Sequence, residues 1–146
     1  YMKEGILVAL GTDGSSSNNT LDMFKEMRLT AMISGASTHN PTAITPYDVL
    51  SMATINGAKA LKRDHNSGSI EVGKDADITL INRDKAHLSP MNNPFSAVVF
   101  GSSSQDVETV IIKGEIVYKE KEFTHIDIEK TNHAINKRWE EIKKRM

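Results

Sequence analysis

The feature that most constrains this chain is the unbroken apolar run Ile6-Leu7-Val8-Ala9-Leu10, entered at Gly5 and closed by Gly11. A run without alternation fits a strand covered on both faces, as in a parallel sheet. A lone parallel strand has no partners, and no second run of that kind follows in the sequence. The run therefore predicts neighbours outside this sequence. The opening at Tyr1 and the abrupt entry into an apolar strand point the same way, to a chain cut from something longer.

After the run comes the polar loop Thr12-Asp13-Gly14-Ser15-Ser16-Ser17-Asn18-Asn19. A helix is expected from about Thr20 to Ser34, with Leu21, Phe24, Met27 or Arg28, and Ala31 at helical spacing. Asn19 is the expected N-cap and Gly35 the expected stop. Residues 36–44 read as a loop. Thr45-Pro46-Tyr47-Asp48 then carries a full helix start: a capping threonine, proline at the first helical position, and the aspartate of a capping box. The inward face of that helix is expected at Leu50, Ala53, Gly57 and Leu61. Past Lys62 the texture changes to short strands and turns. Strands are expected at Ser69–Val72 and Ala76–Ile81, and a short helix over Phe95–Phe100. A hairpin of Val107–Ile112 and Glu115–Tyr118 should close through Lys113-Gly114. A last helix is expected from about Asp127 to Lys144, with Ile128, Ile135, Trp139, Ile142 and Met146 on one stripe.

The formal net charge is −1, from 18 basic and 19 acidic residues, so no long-range pull toward nucleic acid or an anionic membrane is expected. The longest apolar run is too short for a membrane span. With no cysteine, disulfides and thiolate metal sites are excluded, and a reducing, cytoplasmic compartment is the expectation.

The chemistry concentrates at Asp13. It stands just past the C-terminal end of the apolar run, the edge at which β/α barrels present catalytic groups. Gly11 and Gly14 flank it and would allow a tight turn or close approach to a ligand. A carboxylate there can hold a metal and can relay a proton to a leaving group. The commoner role of an aspartate in a Thr-Asp-Gly loop is local hydrogen bonding in a turn.

A resemblance weighs against that bland reading. Leu10-Gly11-Thr12-Asp13-Gly14, Ser17-Asn18-Asn19, Leu21-Asp22-Met23-Phe24 and Glu26-Met27-Arg28 together resemble the eighth-strand segment of the amidohydrolase superfamily. The resembling branch is that of the 5-methylthioadenosine/S-adenosylhomocysteine deaminases and related chlorohydrolases. Met52 to Leu61 is similar to the following helix, and Gly68 to Asp77 to the re-entry into a small β-sandwich. The resemblance implies an α/β fold: the C-terminal part of a (β/α)8 metal-dependent hydrolase barrel, contributing the last strand and helices, plus part of a small β-sandwich and a C-terminal helix. Its units would be 1–66 in the barrel, 67–124 in the sandwich with a short helical return near 94–100, and 125–146 as the helix. It also implies one divalent metal, zinc or iron, held by histidines together with a last-strand aspartate, for which Asp13 is the counterpart in both catalysis and metal binding.

None of the five histidines, His39, His65, His87, His125 and His133, forms the H-x-H pair that the family places on strand one. A tight zinc site needs about three or four protein ligands, so this stretch alone is expected to hold no metal tightly and to be inactive. Asn18 is the candidate substrate contact, with helix capping as its alternative. Glu26 and Arg28 are expected in ion pairs fixing helix to barrel. His39 and His87 read as surface and structural histidines, Asp75 and Asp77 as turn and edge residues, and Met23, Met27, Met32 and Met52 as core filler.

The expected function is hydrolytic deamination of an adenosine-type nucleoside by the intact parent. Dechlorination, or deamination of guanine or a triazine, within the same superfamily is the alternative. A non-catalytic packing or oligomerisation module is the rival from another class. The expected partners are a small-molecule nucleoside and either a second copy or the missing N-terminal part.

Overall fold

The computed structural model describes residues 1–145; Met146, expected on the last helical stripe, lies outside the described residues. Three helices come first: α1 (Met23–Thr38), α2 (Pro46–Ala53) and α3 (Ile55–Ala60). A four-stranded antiparallel sheet follows, in the order β1 (Ile78–Ile81), β2 (Val107–Ile112), β3 (Glu115–Lys119) and β4 (Glu122–Phe123). Between β1 and β2 the chain leaves the sheet to form α4 (Pro94–Ser96), continued by a π-helical turn over Ala97–Gly101. Helix α5 (Ile128–Lys143) ends the chain.

The helix grammar of the second segment holds in full. Thr45 Oγ1 accepts from Asp48 N–H while the Asp48 carboxylate accepts from Thr45 N–H, and Pro46 occupies the first turn. Helix α1 departs from expectation at both ends. Its N-cap is Asp22, whose Oδ1 accepts from Phe24 and Lys25 N–H, and not Asn19. It runs through Gly35 to Thr38, where His39 closes it in the left-handed region at φ 51°. The Asp22 carboxylate both caps the helix and complements the positive end of its dipole.

The apolar run is not a strand. Residues 6–10 carry no ladder bonds; Leu10 N–H donates to Met52 O at 2.9 Å, and Asn56 Nδ2 donates to Val8 O at 3.0 Å. The backbone of a buried strand must pair with something, and here the run leans on the α2–α3 junction. Ser69–Val72 also fails to form its expected strand, with Ile70 and Val72 exposed. The Lys113-Gly114 hairpin does form, with both residues at positive φ, 50° and 82°, as a two-residue turn matched to strand twist requires.

The core is small. Met27, Val49 and Val99 are buried together, with Leu10, Phe24, Ile44, Leu50 and Val98 packed around them. The inward face of α2 is therefore set by Val49 and Met52, while Leu61 is 72% exposed, contrary to expectation. A break at Thr54 separates α2 from α3 and ends the helical phase that would have carried Leu61 inward. Met32, expected as core filler, is 61% exposed. The segment 94–101 returns to pack on α1 and α2 rather than on the sheet.

Gly68 is needed where it stands. Its φ is +90°, and a Cβ there would lie 2.7 Å from Ala58 Cβ and 2.9 Å from Ile55 Cα. Gly68→Ala is expected to destabilise by roughly 2–4 kcal/mol, from overpacking plus left-handed strain. A denaturation midpoint unchanged from wild type would show that α3 yields more readily than its packing implies.

Candidate functional site

Asp13 sits three residues beyond the end of the apolar run, on the surface, at φ 59°. The flanking Gly11 and Gly14 were the residues expected to take up the unusual backbone geometry, but neither has positive φ. The aspartate takes it instead. A short polar side chain tolerates the left-handed region because it can hydrogen-bond locally, and Asp13 Oδ1 accepts from Gly14 N–H at 2.6 Å. The Thr12 hydroxyl donates to Asp13 O at 3.2 Å. Asp13 is exposed, and among the described residues its Oδ2 makes no hydrogen bond.

The loop then closes on itself. Ser17 and Asn18 N–H both donate to Gly14 O, at 2.9 and 2.8 Å. Asn18 Nδ2 donates to Glu26 Oε1 on α1 at 2.5 Å. Asn18 Oδ1 lies 3.5 Å from the N–H and hydroxyl of Thr20. One of the two Nδ2 hydrogens of Asn18 is thus committed to Glu26, and the second hydrogen and Oδ1, which Thr20 approaches only at 3.5 Å, are left for a further contact. Asn19 makes no cap.

Glu26 and Arg28 do not form the expected ion pairs. Glu26 holds Asn18, and Arg28 Nη2 donates to the carbonyl of Ser102 at 3.0 Å. The geometry of α1 explains this, since residues two apart point to different faces and each finds its own neighbour. The Asp22 cap adds a second link to the same region, its Oδ2 accepting from Ser104 Oγ at 3.1 Å.

A further polar centre escaped the sequence reading. Asp106 is buried, accepts from Ser103 N–H and Oγ at 2.8 and 2.9 Å, and lies 3.2 Å from His87 Nε2. Burial pushes its carboxyl up, but the Ser103 N–H, His87 and the Ser103 hydroxyl outweigh that and hold it below the usual aspartate range. The available signal was the Ser103-x-x-Asp106 spacing of a capping box. His87, read from the sequence as structural, lies against the Asp106 carboxylate with its side chain half exposed. Asp75 and Asp77 fasten turns: Asp75 N–H donates to Asn66 O, and Asp77 Oδ1 accepts from Lys113 N–H.

Among the described residues, no three His, Asp or Glu side chains converge on a point. An exposed carboxylate such as Asp13 has the oxygen chemistry of a metal ligand, and among the described residues it belongs to no group of three such side chains. A concavity of about 720 Å³ lies between the helices and β1, with Met23, Phe24, Leu50, Ile78 and Val98 in its lining. Asp13 is not part of it. Its lining is mostly apolar, with Arg63 and Asp77 among the polar residues.

The amidohydrolase family model matches residues 1–117. The chain belongs to the amidohydrolase family. This amidohydrolase chain is 49% identical over 145 residues to a 5-methylthioadenosine/S-adenosylhomocysteine deaminase of Acetivibrio thermocellus, covering 99% of this chain and 33% of the relative. It is similar to the crystal structure of a zinc-bound adenosine deaminase of Xanthomonas campestris, with a TM-score of 0.91 and 30% identity, covering 99% of this chain and 33% of that one. It is also similar to a zinc-complexed atrazine chlorohydrolase of Arthrobacter aurescens, with a TM-score of 0.80 and 26% identity, covering 89% of this chain and 29% of that one. The chain thus spans about a third of the length of the relatives it matches. The α/β architecture of helices with a small antiparallel sheet is that of the C-terminal part of these barrel enzymes. No helix among the described residues is long and apolar enough to cross a membrane.

Proposed function

We propose that this chain is the C-terminal portion of a metal-dependent hydrolytic deaminase that acts on adenosine-type nucleosides such as 5-methylthioadenosine or S-adenosylhomocysteine. The observation that carries the reading is 49% identity over 99% of the chain with a deaminase of that description. In this reading residues 1–66 belong to the barrel, 67–124 to the sandwich with the return near 94–100, and 125–146 to the terminal helix. Water replaces the exocyclic amine of the purine and ammonia leaves. In this reading the Asp13 carboxylate takes a proton from the attacking water and returns it to the departing nitrogen. Gly14 N–H, bonded to Oδ1, helps to fix the carboxylate. Asn18 Oδ1 is the acceptor available to a substrate hydroxyl.

Asp13 would also be the residue of this chain that holds the divalent metal, zinc or iron. When bound, that metal supplies the Lewis acidity that activates water near neutral pH. The remaining ligands and most substrate contacts would come from sequence outside these 146 residues, so the chain by itself is proposed to be inactive. The working compartment is proposed to be the cytoplasm, and neither nucleic acid nor membrane is a proposed partner. The chlorohydrolase neighbour keeps a second reading in view, in which chloride leaves instead of ammonia; the barrel's fold is shared and only the substrate pocket separates the two.

Two measurements test the reading. The intact protein should release ammonia from 5-methylthioadenosine and should leave a chlorinated triazine untouched; the reverse would favour the chlorohydrolase. The 146-residue chain alone, dialysed after incubation with zinc, should retain well under one equivalent by elemental analysis. One carboxylate falls short of the roughly three or four ligands a tight site requires, so a chelator-resistant stoichiometric metal would mean the site is built differently.

A further inference from the structure

We infer that Glu26 is a positioning residue that holds Asp13 in place through Asn18, an inference that rests on the role proposed for Asp13. Asp13 lies on the surface and, among the described residues, its side chain bonds only to the next residue's N–H. Its position is therefore set by the backbone of the loop that carries it. That loop is fixed by the run at Leu10, whose N–H is bonded to Met52 O, and by the Asp22 cap. Residues 11–21 between those points contain two left-handed non-glycine residues, Asp13 and Leu21, and need a further anchor to hold one conformation.

Asn18 supplies it. Its backbone N–H closes onto Gly14 O at 2.8 Å, the carbonyl immediately after Asp13, and its side chain reaches Glu26 at 2.5 Å. The chain of bonds runs from Asp13 through Gly14 and Asn18 to Glu26. At its far end is a rigid element. On one side of Glu26, Asp22 bonds Ser104; on the other, Arg28 bonds the Ser102 carbonyl. Met27, next to Glu26, is buried in the core. Helix α1 is thus pinned on both sides of Glu26, and a bond from the loop to Glu26 transmits that fixity to the turn bearing Asp13. Supporting residues of this sort are typically worth about 10- to 100-fold in activity.

The arrangement can be tested by reversing the bond. In the intact protein, Asn18→Asp sets a carboxylate against Glu26 and should lower kcat about tenfold or more, with a shift in KM as well because Asn18 is also the proposed substrate contact. Adding Glu26→Gln places an amide donor opposite the new carboxylate and restores a hydrogen bond of opposite polarity. The double variant should recover most of the lost kcat. Wild-type kcat in Asn18→Asp, or a double variant no better than that single one, would overturn the inference. Should Asn18→Asp not fold, Glu26→Ala against Glu26→Gln serves the same end. The glutamine keeps an acceptor and should lose less kcat than the alanine, and equal losses would overturn the inference. A purely structural bond would lower thermal stability in these variants and leave kcat of the folded enzyme alone. Asp13→Asn run alongside separates the two layers. If it is inactive and the reversal fails, only the role of Glu26 falls; if it keeps wild-type turnover, the role of Asp13 falls first.

Discussion

Replacing Asp13 should abolish deamination by the intact protein while leaving its fold in place. Proton transfer by a positioned side chain is typically worth about 100- to 10,000-fold in rate, and loss of a metal ligand would add to it. The cost to stability should be small, because the residue is exposed and its only side-chain hydrogen bond among the described residues is to Gly14 N–H. The choice of replacement matters. Asp13 is left-handed, with φ 59°, and alanine in that region costs about 1–2 kcal/mol for reasons unrelated to catalysis. Asparagine tolerates the region better and keeps an oxygen for Gly14 N–H, but it cannot accept the proton. Asp13→Asn should therefore be inactive at nearly wild-type melting temperature, and Asp13→Ala inactive and slightly less stable. Ammonia release from 5-methylthioadenosine within a few-fold of wild type in both variants would remove Asp13 from the mechanism.

The 146-residue chain on its own should not remain a monomer. Ile6 and Leu7 are half exposed, Leu29, Met32 and Ile33 open one side of α1, and Ile128, Ile135, Trp139 and Ile142 line a stripe of α5 on which no side chain is buried. Each large apolar side chain that finds cover contributes roughly 1.5–3 kcal/mol, against a usual domain margin of about 5–15 kcal/mol. A 16-residue helix with an uncovered apolar stripe is also marginal by itself. Association with a second copy, or with an N-terminal segment supplied in trans, would cover these surfaces. Sedimentation at micromolar concentration should report species larger than 16.1 kDa, and adding the N-terminal part of the intact protein should convert them to a defined complex. A strictly monomeric species that unfolds cooperatively would refute this.

Local rules sufficed wherever the deciding partner lies within a few residues. The Thr45-Pro46-Asp48 start and the Lys113-Gly114 turn were readable for that reason, since a cap or a two-residue turn is satisfied by its own neighbours. The ordered motifs from Leu10 to Asp77 were enough to identify the family, because they combine backbone and chemical requirements that few folds share. Tertiary structure decided the rest. The apolar run has the composition of a buried strand, but a ladder needs a second strand, and among the described residues its backbone bonds are to Tyr1 O, Met52 O and Asn56. Which oxygen of Asp13 is bonded to Gly14 N–H, and that the aspartate rather than its flanking glycines is left-handed, follows from how the loop closes at Gly14. The pairing of Asn18 with Glu26 and of Arg28 with Ser102 depends on what α1 packs against, eight residues away in one case and 74 in the other. Sequence spacing names the side chains on a helix face, and only the packed neighbours determine which partner each one meets.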